Sequence, residues 1–223
     1  MALREIIGPA GRLEALLEEP QPVRAVDADG LVHAGRPGGV RAAVVLGHPH
    51  TEYGGTMHTK VIYQTAKALG RIGCAVLRIN FRGAGASAGT FTGGPGEKDD
   101  FRAGLDFMHA RYPDARMWAA GMSFGAWIAL SVGAEDPRIS TLTGIALPIA
   151  TYEWEAVRTS PKPKFFVHGE RDELAPLKDM REFYARAAEP KELVVIDGAD
   201  HLFDGKVSLV GDAIEDLLGD WSG

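Results

Sequence analysis

Short runs of consecutive apolar residues alternate with amphipathic segments from residue 41 onward, and this rhythm restricts the fold more than any other feature of the sequence. The runs are 42–46, 74–79, 116–120, 142–147, 164–168 and 193–196. Unbroken apolarity over about five residues suits a strand buried on both faces of a parallel sheet. The segments between them have helical spacing. Residues 58–69 place Val61, Ile62, Thr65, Ala68 and Leu69 on one side. A segment opened by Glu97, Asp99 and Asp100 turns Phe101, Leu105, Met108 and His109 inward. Residues 124–131 and 177–188 fill two further gaps, and 207–221 carries a stripe of Val207, Val210, Ile214, Leu217 and Trp221. Strand–helix alternation implies right-handed crossovers, so an α/β fold is expected, with a mostly parallel twisted sheet and helices on both faces. Before residue 40, two short runs flank Asp29-Gly30 and read as an antiparallel hairpin at the sheet edge, while 12–19 reads as one or two helical turns. At 223 residues and 45% apolar content, one domain spanning 1–223 is expected.

In such a sheet, chemistry collects at the carboxyl ends of the strands. Beyond run 116–120 comes Gly121-Met122-Ser123-Phe124-Gly125, a G-x-S-x-G turn leading into a helix rich in small residues. The turn would hold the hydroxyl out of the sheet at the positive end of that helix. A Cβ at either glycine would collide with the neighbouring strand or helix. Run 164–168 leads to Asp172, with Glu170 and Glu173 beside it. Run 193–196 leads to His201, with Asp197 and Asp200 nearby. Nucleophile, acid and histidine thus follow three strands in the order Ser, Asp, His.

Composition narrows the partners. A net charge of −6 without a basic block argues against nucleic acid and anionic membrane surfaces. The single cysteine, Cys74, lies in an apolar run and reads as a small buried hydrophobe, not a nucleophile. No apolar run is long enough for a membrane helix, and the first residues lack a signal-peptide core, so a cytoplasmic protein is expected. His48, His50 and His58 lack the thiolate or carboxylate set that would complete a metal site. Gly83-x-Gly85 and residues 93–96 read as turns, since neither continues into a phosphate-binding motif.

The motifs His48-Pro49-His50, Asn80-Phe81-Arg82-Gly83-x-Gly85-x-Ser87, Gly121-x-Ser123-x-Gly125, His168-Gly169-x-x-Asp172 and Gly198-Ala199-Asp200-His201 together resemble the α/β-hydrolases. More narrowly, the chain is similar to the small, lidless, dienelactone-hydrolase-like serine esterases. The resemblance implies Ser123 as nucleophile, His201 as base and Asp172 as the acid that orients the imidazole. It also implies an oxyanion hole formed by the backbone N–H of Phe124 and one from the loop after the first parallel strand. Pro49 has no N–H, so His50 is expected to supply the second donor, with Thr51 as its competitor. The short connection 148–164 leaves no room for a lid, and Tyr53, Tyr152 and Trp154 are expected as walls of an open site. The expected activity is hydrolysis of small carboxylic esters without cofactor or metal. Thioester, lactone or small-peptide hydrolysis, or a non-catalytic binding role, are the alternatives.

Overall fold

The computed structural model describes residues 2–20, 24–26, 32–34 and 39–221. Its strands are β1 (Ala2–Gly8), β2 (Gly11–Glu18), β3 (Arg24–Val26), β4 (Val32–Ala34), β5 (Ala42–Gly47), β6 (Ala75–Ile79), β7 (Arg116–Met122), β8 (Ile139–Ile145), β9 (Lys164–Gly169) and β10 (Lys191–Ile196). The helices are α1 (Lys60–Arg71), α2 (Pro95–Arg111), α3 (Phe124–Glu135), α4 (Glu155–Thr159), α5 (Leu177–Arg186) and α6 (Val207–Leu218). Eight strands form one sheet in the order β1-β2-β6-β5-β7-β8-β9-β10. From β6 to β10 every neighbour is parallel. This is the expected α/β-hydrolase architecture.

The N-terminal region differs from expectation in one respect. The hairpin that edges the sheet is β1–β2, with β2 pairing antiparallel to β6. Residues 12–19, expected as helical turns, therefore belong mainly to a strand. Their helix-forming composition yields to tertiary pairing, which buries Leu13, Ala15 and Leu17. The strands on either side of Asp29-Gly30 do pair, but as a separate two-stranded sheet. The turn between them lies outside the described residues.

Alternation along the central strands divides the core into two layers. Val45, Leu77, Ala119 and Leu142 face α2, α3 and α5. Val44, Val76, Trp118 and Ile145 face α1 and α6. Both faces are apolar, which is why the strands read as continuous runs and not as an alternating pattern. Cys74 is fully buried, and burial pushes its thiol up to about 12, as befits an inert hydrophobe. Phe101, Leu105 and Met108 form the inner face of α2 as expected, but His109 lies on the exposed side. Between β8 and β9 only the single turn of α4 intervenes, so no lid covers the sheet end. No helix among the described residues is long and apolar enough to cross a membrane.

Candidate active site

Ser123 stands between β7 and α3 with φ 54° and ψ −123°, a conformation few non-glycine residues adopt. Its N–H donates to Ile145 O, and its carbonyl accepts from the N–H groups of Ala126 and Trp127. The turn closes only because two side chains are missing. A Cβ at Gly121 would stand 2.3 Å from Gly125 O, and one at Gly125 would stand 2.3 Å from His48 O. With strand and helix this close, the serine hydroxyl is directed away from both and into a cleft.

The acid and the histidine arrive from adjacent strands, β9 and β10, whose following loops are fastened together. Glu170 N–H donates to Ile196 O, Arg171 N–H to Ala199 O, and Gly198 N–H to the Glu170 carboxylate at 2.8 Å. A Cβ at Gly169 would meet Ala199 O at 2.6 Å, so the loops pack this tightly only over glycine. Asp172 is buried, and Oδ1 accepts the N–H groups of Leu174 (3.0 Å) and Ala175 (2.7 Å). Its Oδ2 accepts the Nδ1–H of His201 at 2.8 Å. On the other side of the ring, His201 Nε2 lies 3.0 Å from Ser123 Oγ. The three residues expected from the sequence thus form one hydrogen-bonded chain. Nδ1 bears the proton toward the carboxylate, leaving Nε2 to accept from the serine hydroxyl.

The other acids of these loops have different work. Glu170 fastens the loops, Glu173 is exposed, and Asp200 accepts the N–H groups of Leu202 and Asp204. His168, at the end of β9, donates Nε2–H to Ala175 O at 2.7 Å and so steadies the turn that binds Asp172. Burial pushes its pKa down and keeps the ring neutral. His48 is likewise structural. Nδ1–H donates to Pro49 O at 2.6 Å and Nε2 accepts the Phe81 N–H at 3.1 Å, while burial lowers its pKa to about 4. Arg82 makes a forked pair with Asp100, which also accepts the Arg82 N–H, and this braces the loop. Glu97 instead accepts from Thr92 and from the N–H of Gly94.

The N–H groups of Phe124 and His50 have no acceptor among the described residues. Both residues line a cleft of about 370 Å³ in which Ser123 and His201 also lie, whereas Thr51 is not among its lining residues. Tyr53 and Tyr152 wall it as expected. Trp154 does not. Its indole is buried against Phe183, with ring centroids 6.0 Å apart, because the chain turns inward there to begin α4. Leu174 and Leu202, which complete the rim, went unrecognised in the sequence. Their signal was an apolar residue in a polar loop directly beside a candidate site residue. Among the described residues no cluster of histidine, cysteine and acidic side chains is arranged to hold a metal ion.

Residues 38–158 match the family described as serine aminopeptidase, S33, a span just over half the chain that includes Ser123 but neither Asp172 nor His201. An uncharacterized protein of Rickettsia prowazekii is 37% identical over 185 residues, covering 79% of this chain and 77% of its own. An α/β serine hydrolase homologue from Coxiella burnetii superposes with a TM-score of 0.86 at 29% identity, covering 97% of both chains. A protein of Xanthomonas campestris, described as an α/β serine hydrolase without lid, gives 0.85 at 29% identity over 96% of this chain and 92% of its own.

Proposed function

Because the chain belongs to the α/β-hydrolase family described as serine aminopeptidase, S33, we propose that it is a serine esterase. It cleaves small carboxylic esters through an acyl-enzyme on Ser123. The observation that carries this reading is the continuous line from Ser123 Oγ through His201 to Asp172, with contacts of 3.0 and 2.8 Å, opening onto an uncovered cleft.

The mechanism follows from that line. Ser123 Oγ attacks the ester carbonyl while its proton passes to His201 Nε2. Asp172 holds Nδ1–H and stabilises the imidazolium, and its own charge is supported by the Leu174 and Ala175 N–H groups. The oxyanion that develops takes hydrogen bonds from the N–H groups of Phe124 and His50, the former reinforced by the amino end of α3. His201 then gives its proton to the leaving alkoxide, and the alcohol departs. Water attacks the acyl-enzyme and His201 takes one of its protons. Breakdown of the second tetrahedral intermediate returns that proton to Ser123 and frees the acid. Every proton is accounted for within the protein, and no metal or cofactor enters a step.

A fluorophosphonate probe tests the reading directly. Ser123 should be labelled covalently, with p-nitrophenyl acetate hydrolysed by the same preparation. Asp172→Asn, which keeps the shape but loses the charge and the preferred tautomer, should slow hydrolysis by about 10⁴-fold. Absence of labelling together with absence of hydrolysis would refute the assignment.

A further inference from the structure

The family's descriptive name points to peptides with a free amino terminus, but the cleft around Ser123 is not built to receive one. An ammonium group brought out of water needs an acidic partner, because an unpaired buried charge costs several kcal/mol. Among the residues lining the cleft there is no aspartate, glutamate, lysine or arginine. Its polar groups are Ser123, His201, His50, Thr151 and the tyrosine hydroxyls. The rim is apolar to an unusual degree. Three of the six large hydrophobic side chains exposed among the described residues stand on it: Tyr53 (88% exposed), Leu174 (72%) and Leu202 (51%). Exposed apolar surface concentrated at a cleft marks the place where an apolar ligand lies.

The two sides of Ser123 differ in kind. His201 must hand its proton to the leaving oxygen, so the alcohol departs past His201, where Leu202 adjoins it and Leu174 follows the Asp172 turn. The acyl group extends the other way, over His50 and Tyr152, whose rings pack on the buried Phe124 ring. That side carries several aromatic rings. The His50 ring lies 5.1 Å from Phe124 and 4.7 Å from Tyr53. Phe124 lies 6.0 Å from Tyr152, which is held in place by stacking on Trp127 at 4.2 Å with planes 10° apart. A preset surface of aromatic faces and edges favours another ring.

We propose that the enzyme's substrates are uncharged esters whose acyl part carries an aromatic ring, which rests against Tyr53 and Tyr152, and whose alcohol part is aliphatic, passing between Leu174 and Leu202. This rests on the esterase reading above and goes further by assigning a chemical class to each side of the scissile bond.

The experiment compares kcat/KM for p-nitrophenyl phenylacetate and p-nitrophenyl acetate, for methyl and butyl phenylacetate, and for leucine p-nitroanilide as the aminopeptidase substrate. The phenylacetyl ester should be favoured over the acetyl ester by about tenfold, as expected for two aromatic contacts. Tyr152→Ala should lower that ratio to about threefold. Tyr53→Ala, at a site too exposed to threaten folding, should reduce it about threefold. Leu202→Ala should leave the acyl ratio alone and diminish the preference for butyl over methyl. Leucine p-nitroanilide should not be turned over. An acyl ratio near one in the unmodified enzyme, or ratios unmoved by both tyrosine variants, overturns the specificity proposal while leaving the esterase reading intact. Turnover of the anilide in preference to the esters overturns it in favour of a peptidase. Failure to hydrolyse any ester overturns both.

Discussion

Two serines in this chain follow sheet strands on glycine-rich turns, and they have opposite fates. Ser123 follows β7, and Ser87 closes the loop that follows β6, with only β5 between the two strands. Ser87 Oγ donates to Asn80 O at 2.7 Å and accepts the Glu14 N–H at 2.9 Å. Asn80 in turn binds Glu14 Oε2 and the N–H of Met57. That hydroxyl is fully committed, tying the loop to the edge hairpin. Ser123 Oγ has one side-chain partner, the Nε2 of His201, and otherwise faces the cleft. A serine becomes a nucleophile when a base claims its proton and its lone pairs remain free. Glycine-rich surroundings serve both cases, so they do not distinguish them.

The sharpest way to separate the two is Ser123→Gly. It should abolish ester hydrolysis, with a loss on the order of 10⁴-fold or more. It should also raise the melting temperature by about 2–4 °C, since glycine relieves a backbone conformation that costs a side-chain-bearing residue about 1 kcal/mol or more. A fall in melting temperature would mean that the turn stores no strain.

His48 sits on β5's end between the two turns, with Nε2 on Phe81 N–H beside one and its carbonyl against Gly125 beside the other. Its folded pKa of about 4 lies below the ordinary histidine value of 6.5. The unfolded chain therefore binds a proton at this position between pH 6.5 and 4 while the folded chain does not. Stability from this group is full above pH 6.5 and is lost as the pH falls toward 4, by about 3 kcal/mol. Denaturant melts across this window should show that slope, and His48→Gln should flatten it. An unchanged slope in the variant would place the acid sensitivity elsewhere.

The smallest effect belongs to Ser87→Ala. Leaving the part-buried Glu14 N–H without its acceptor should cost about 1 kcal/mol, read as a lower denaturation midpoint. The specificity constant for p-nitrophenyl acetate should change far less than it does with Ser123→Gly. A catalytic collapse without a stability change would erase the contrast between the two serines.

Much of this arrangement is legible in the chain itself. The apolar runs mark the parallel strands because burial on both faces demands unbroken apolarity, and Val44 and Val45 show this by pointing to opposite layers. The spacing Gly121-x-Ser123-x-Gly125 is legible because only glycine permits the approach of α3 to β5. Residues 12–19 were misleading because leucine, alanine and glutamate favour a helix locally, and only pairing with β6 makes them a strand. Trp154 was misleading because loop position does not reveal whether an indole turns toward the cleft or toward Phe183.

The sequence by itself determined the parallel sheet, the serine turn and the order of nucleophile, acid and base, since each is set by local sterics or by apolar periodicity. Tertiary structure alone decided which aromatics reach the cleft, and that Leu174 and Leu202 share its rim. Those outcomes depend on how β9 and β10 fasten their loops together, through contacts between residues far apart along the chain, which no local pattern encodes.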